Sequence, residues 1–296
     1  MLSITLGVIS SGLRTPSMMA LRMVTAASTS VQPALFWALD HLRRAGAIEI
    51  DFDFRTYLPQ LLAKTQAEMA TYEDYAVNGS LLFGDMGTAL LVMRLAPSST
   101  IAELVHTRAN ANTQLPIREL MWGMPGSMLA CLSMSQMTAE ARWRSIFEIQ
   151  ATRLLADLQE TAEGPIWEQD LYDRHTKFLG PVHGYAGNML PLLRGWDWLA
   201  DDQRSRIVDA IPRTLSRNAW RTDTGTSWRG SVAHDKPPWL CQYCHGAPGM
   251  VATFADSPWP RRAWRQQSVR VYSSRSSCIR LRLTSRAANL QIQHSQ

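Results

Sequence analysis

The sequence predicts an all-α chain in which pairs of helices stack side by side. Three observations carry that prediction. A bulky residue followed by Gly-x-x-Gly and an apolar run recurs four times. Amphipathic stretches with helical spacing lie between the copies. Alternating β-branched runs are nearly absent.

The elements follow in chain order. Residues 1–34 contain Arg14 and Arg22, many Ser, Thr and Met, and no acidic residue. Two readings fit that composition: an organelle-type targeting segment or a disordered N-terminus. The apolar run Leu2–Ile9 is far short of the roughly 18 residues that span a bilayer. No transmembrane segment is expected, and a peripheral membrane contact stays open. Ala34–Leu42 reads as a helix.

Phe54–Ala76 is amphipathic, with Tyr57, Leu58, Leu61, Leu62, Thr65, Met69 and Tyr72 near helical spacing. The first glycine turn, Phe83-Gly84-Asp85-Met86-Gly87, opens the all-round apolar stretch Thr88–Leu95, which reads as an inner helix. The second turn is Trp122-Gly123-Met124-Pro125-Gly126, with Trp122 and Met124 read as core residues. Ala139–Thr161 is the next amphipathic helix, carrying Ile146, Ile149, Leu154, Leu155 and Leu158. The polar loop Pro165–Lys177 leads to the third turn, His183-Gly184-Tyr185-Ala186-Gly187. Arg204–Ala219 is a third amphipathic helix, and the loop Thr222–Pro238 leads to the fourth turn, His245-Gly246-Ala247-Pro248-Gly249. Glycine at a helix start permits close backbone approach. Long loops gathered at one end of a helical scaffold are where sites are built.

Composition bounds the function. The 296 residues are 46% apolar and 19% charged, which is globular and excludes a disordered chain. The net charge of +5 invites a nucleic-acid reading. Its location argues against one. Residues 261–296 hold eight Arg and no acid, so the remainder carries 22 basic and 25 acidic residues, a net −3. The tail lacks the interleaved aromatics of a stacking platform. No nucleic-acid partner is expected, and residues 259–296 read as a disordered or misassigned tail; binding of RNA or anionic lipid is the alternative.

There are four cysteines and no secretory signal, so a disulfide framework is not expected. Cys131 lies in the apolar run Met128–Met134 and reads as a buried thiol; Cys278 lies in the tail. Cys241-Gln-Tyr-Cys244-His245 is different. Cys-x-x-Cys-His also fits a c-type haem attachment site, and Cys-x-x-Cys a redox dithiol; the first needs export and the second a βαβ context, and neither is visible.

These motifs resemble the lanthionine synthetase C-like family. Trp239-Leu-Cys-Gln-Tyr-Cys244-His245-Gly246-Ala247-Pro248-Gly249 is similar to the family's Trp/Tyr-Cys-His-Gly-Ala-Pro-Gly signature. Leu81–Gly87, Glu119–Gly126 and Val182–Gly187 are similar to its other glycine turns, in the same order. The resemblance covers roughly residues 35–258. It implies an incomplete α/α toroid, with about five inner helices of a family total of seven. It implies an ancestral chemistry of zinc-assisted thiol addition to dehydroamino acids in peptides, forming thioethers, or binding of glutathione, in the cytoplasm. Position by position, Cys244 matches the first zinc ligand and His183 the proton-transfer histidine. Glu119 stands where the family places an acid that holds a basic partner. His245 and Tyr185 match substrate contacts. His245 after the zinc cysteine, and Leu240 four before it, are closer to the eukaryotic-type, glutathione-binding branch. The family's later Cys-His-Gly zinc turn is not found, because Cys278 is followed by Ile279. The expectation is therefore an incomplete zinc ligand set and impaired thioether formation on glutathione or a dehydrated peptide, with a non-catalytic binding module as the alternative.

Overall fold

The computed structural model describes residues 32–50, 53–71, 79–171, 174–223, 225–232 and 241–255, and the backbone of 270–272 and 278–280. Among these residues there are nine α-helices: α1 Gln32–Arg44, α2 Leu58–Met69, α3 Asp85–Leu95, α4 Ser99–Gln114, α5 Met124–Thr138, α6 Ala141–Ala156, α7 Tyr185–Arg194, α8 Asp201–Arg217 and α9 Ala247–Phe254. The all-α expectation holds. Residues 1–31 of the targeting-like segment and nearly all of the Arg-rich tail lie outside the described residues, as do Tyr72 and Leu240.

Odd-numbered helices form the inner row. α1 packs on α3, α3 on α5, α5 on α7, and α7 on α9. The even-numbered α2, α4 and α6 back them, α2 on α3, α4 on α3 and α5, and α6 on α5. This is the layering of an α/α toroid. Apart from α1, which is amphipathic, the inner helices are largely apolar because they have neighbours on several sides. Met124, Met128, Ala130, Cys131 and Met134 of α5 are all fully buried. One core cluster runs from α3 to α9 and includes Trp143, Phe147, Trp167, Tyr185 and Phe254. A smaller one joins Phe36 of α1, Leu58 and Leu61 of α2, and Leu91 and Val92 of α3. Each such side chain contributes about 1.5–3 kcal/mol on burial.

The structure differs from the sequence reading in three places. α2 begins later than the periodicity suggests, after a short 3-10 turn at Phe54–Tyr57, with Pro59 in its first turn. α4 was not anticipated; Ser98 caps it by accepting from the Ile101 N–H at 3.3 Å. The Pro165–Lys177 loop contains a two-stranded antiparallel hairpin, and a second hairpin begins where the expected Arg204–Ala219 helix ends and runs into the Thr222–Pro238 loop. β1 Gln169–Leu171 pairs with β2 Arg174–Thr176, and β3 Ala219–Thr222 with β4 Gly225–Trp228. A third hairpin, β5 Arg270–Tyr272 with β6 Cys278–Arg280, lies within the tail. Strands of three or four residues carry too little alternation to register as a period.

Candidate functional site at the glycine turns

Each glycine turn opens an inner helix, as the repeat implies. Gly84, Gly123, Gly184 and Gly246 are the N-caps of α3, α5, α7 and α9. Only Gly246, at φ +94°, needs glycine for its conformation. The second glycine has another reason, shared by all four turns. A Cβ on Gly87 would lie 2.4 Å from the Leu81 carbonyl oxygen; on Gly126, 2.7 Å from that of Leu120; on Gly187, 2.1 Å from that of Pro181; on Gly249, 1.9 Å from that of Tyr243. In every case the carbonyl belongs to the residue six positions earlier. The loop doubles back onto the first turn of its own helix, and only hydrogen fits between them.

The position four residues before the first glycine faces the loop's exposed amides. In the first turn it is Ser80, whose Oγ accepts from the N–H groups of Phe83 at 3.1 Å and Gly84 at 2.6 Å. In the second turn it is Glu119, fully buried. Its carboxylate accepts from the N–H of Met121 at 3.1 Å and from that of Trp122. A carboxylate is favoured here, beside the positive end of α5.

Glu119 has a further partner. Its Oε2 lies 2.8 Å from Nδ1 of His183 in the third turn. The backbone joins the two turns as well, since the Met121 N–H donates to the Val182 carbonyl at 3.3 Å. A carboxylate that already accepts from two amides accepts from the imidazole too, so Nδ1 carries the proton in this contact. The His183 ring also lies 6.1 Å from that of Phe178. Nearby, the rings of Phe83 and Trp122 are 4.8 Å apart and tilted by 33°.

The third and fourth turns are laced in the same manner. Leu179 N–H donates to the Gly230 carbonyl, and Val232 N–H to that of Lys177. A Cβ on Gly180 would lie 2.0 Å from the Cys244 carbonyl oxygen, so the cysteine loop rests directly on the third turn. The His245 ring packs against Gly230, with Nδ1 only 3.1 Å from where a Cβ would stand. Cys244 is partly exposed and its thiol donates to Oε1 of Gln242 at 3.4 Å; Cys241 is exposed, and burial raises its thiol above the ordinary value.

The structure thus brings Glu119 and His183 together and places Cys244 and His245 on the adjoining turn. One expectation needs correction. Tyr185, read as a substrate contact, is fully enclosed between Trp167 and Phe254, at ring distances of 5.6 and 6.4 Å. Burial pushes its phenol up. It is the first residue of α7 and belongs to the core. No group of three His, Cys, Asp or Glu able to hold a metal occurs among the described residues. Structural zinc takes four ligands and catalytic zinc three plus water, so these residues do not fit a zinc ion. Trp122, read as core, is half-buried and flanks Glu119.

Sequence reasoning missed the side chains that hold the peptide before Glu119. Gln169 and Asn188, both buried, hydrogen-bond the backbone of Arg118. A single buried amide leaves no periodic trace in a sequence. No helix among the described residues is long and apolar enough to cross a membrane.

No curated protein matches the chain. The profile of the lanthionine synthetase C-like proteins matches residues 42–257. That match spans the inner helical row from α3 to α9 and all four glycine turns, and the chain belongs to the lanthionine synthetase C-like family.

Proposed function

We propose that this chain binds a peptide containing a dehydroamino acid and supplies the proton that completes thiol addition to it. The observation that carries the reading is the 2.8 Å contact between a buried carboxylate and His183 at the turn end of the inner helices. In the reaction, a thiolate attacks Cβ of the dehydroamino acid and the π electrons move to the carbonyl, giving an enolate. His183, protonated on both nitrogens, gives its Nε2 proton to Cα as the enolate collapses. The thioether forms, and the neutral ring keeps its Nδ1 proton on Glu119. Glu119 fixes tautomer and ring direction, as a carboxylate does for an imidazole in many acid–base pairs.

No step is assigned to zinc, since the described residues do not offer its ligands. The thiol, glutathione or a peptide cysteine, then has to arrive already ionised. The test is thiol addition to a dehydroalanine peptide with glutathione, followed by mass spectrometry. The rate with protein should exceed the uncatalysed rate and return to background in His183→Phe. Equal rates with wild type and His183→Phe defeat the proposal. The hydrogen bond from the Cys244 thiol to Gln242 favours a second reading, a module that binds glutathione or peptide without turnover. Calorimetric binding of either ligand with no product formed would select it.

A further inference from the structure

The peptide between Arg118 and Glu119 is held more firmly than the fold requires. Gln169, on β1 in the loop before the third turn, lies back to back with Arg118. Its Oε1 accepts from the Arg118 N–H at 3.3 Å, and its Nε2 donates to the Arg118 carbonyl. This pairing fixes the amide's orientation, because the flipped amide would set donor against donor. Asn188, one residue past the third turn's second glycine, donates to the same carbonyl at 2.7 Å. The Arg118 guanidinium is anchored too, on Asp157 at 2.5 Å and on the Leu115 carbonyl. Gln169 is 2% exposed and Asn188 fully buried.

The first turn offers a control. There the corresponding carbonyl is that of Gly79, which receives one side-chain amide, from Asn112 at 2.8 Å. Asn112 also donates to Ser127, the residue just past the second turn's second glycine, so one amide suffices to join neighbouring turns. Gln169 is the addition in the second turn, and it acts on the residue before Glu119.

We infer that Gln169 is a positioning residue. It locks the Arg118–Glu119 peptide so that the carboxylate meets His183, and it ties the β1–β2 loop to the acid–base pair. The inference rests on the reading of Glu119 and His183 as that pair. A displacement of about 1 Å in such a pair costs about tenfold to a hundredfold in rate.

The experiment uses the full chain. Gln169→Met keeps the side-chain length and removes both hydrogen bonds; Gln169→Glu keeps the acceptor and loses the donor. The first readout is the proton resonance of the His183 imidazole Nδ1–H, assigned by its loss in His183→Phe. The second is the kcat and KM of thiol addition. Gln169→Met should broaden or abolish the resonance and lower kcat about tenfold at unchanged KM, and Gln169→Glu should fall between it and wild type. A wild-type resonance in Gln169→Met overturns the inference. Should that variant fail to fold, a wild-type resonance in Gln169→Glu overturns it equally. If His183→Phe leaves addition unchanged, the proposed reaction fails while the resonance still decides whether Gln169 positions Glu119.

Discussion

The first and second glycine turns are built to one plan and differ at one residue that matters. Both begin with a side chain four positions before the first glycine, and both use it to accept loop N–H groups. Both close with a glycine packed against the carbonyl six residues earlier. Ser80 performs the capping task with a hydroxyl and nothing more. Glu119 performs it with a buried carboxylate that also reaches His183. The fold asks for an acceptor; the charge exceeds what the fold asks. On the proposed function, the difference separates a residue that serves architecture alone from one that also serves chemistry.

That comparison can be broken at its common part first. Gly187→Ala inserts a methyl 2.1 Å from the Pro181 carbonyl oxygen, and backbone cannot yield as a flexible side chain would. We expect a loss of more than about 3 kcal/mol, read as a fall in denaturation midpoint or failure to accumulate folded protein. A melting curve like that of wild type would show that the loop can move away.

The comparison is sharpened by giving the second turn the first turn's residue. Glu119→Ser should stay folded, at a cost of about 1 kcal/mol, and lose about a hundredfold in thiol addition. In the first turn, Ser80→Ala should cost about 1 kcal/mol and leave addition unchanged. Equal activity losses in both variants would mean that the carboxylate adds nothing beyond capping.

Cysteine chemistry extends the contrast between helix body and turn. Burial pushes the Cys131 thiol, within α5, up to about 12, whereas Cys241 and Cys244 stand in the fourth turn with their side chains accessible. Alkylation mapped by mass spectrometry at neutral pH should label Cys241 and Cys244 in native protein and Cys131 only after denaturation. Rapid native labelling of Cys131 would mean that α5 opens.

The smallest effect concerns a charge that is structural. Asp40 is fully buried in α1; burial alone would raise its carboxyl, and hydrogen bonds from Arg43, Arg94 and Arg44 outweigh that and hold it below the ordinary value. A carboxyl lowered in the folded state stabilises fully above its unfolded value, and that contribution is lost as pH falls through the lowered folded one. Wild type should therefore lose stability below the usual carboxylate range more steeply than Asp40→Asn, with thiol addition at neutral pH the same in both. Parallel acid titrations of stability would refute this.

Much of the fold was legible because its signals are local. The glycine turns and the apolar stretches after them are short patterns, and each marks an inner helix. α4 escaped because its face is Asn, Thr and Arg, with burial carried by Ala102, Val105 and Ala109. The hairpins escaped because their strands are too short to alternate. At the candidate site, Glu119 and His183 were named by matching places in the repeat to the family's turns, and the structure sets their side chains 2.8 Å apart. Tyr185 was misjudged by the same rule: the residue after the turn's first glycine starts the helix, and here it faces the core. Gln169 and Asn188 were invisible, since their meaning lies in a carbonyl some fifty to seventy residues away.

A glycine pressed against its own loop has a consequence for how such a chain diverges. Because the backbone clamps each loop onto its helix, the side chain four places before the first glycine has one structural task left, accepting loop N–H groups, as Ser80 and Glu119 do. Ser, Glu, Gly and Gln occupy that place in the four turns of this one chain. In the third turn that place is closed to side chains, since a Cβ on Gly180 would lie 2.0 Å from the Cys244 carbonyl oxygen. In the first two turns it admits a hydroxyl or a carboxylate, so a single substitution there can add or remove a reactive group while the glycine contact stays.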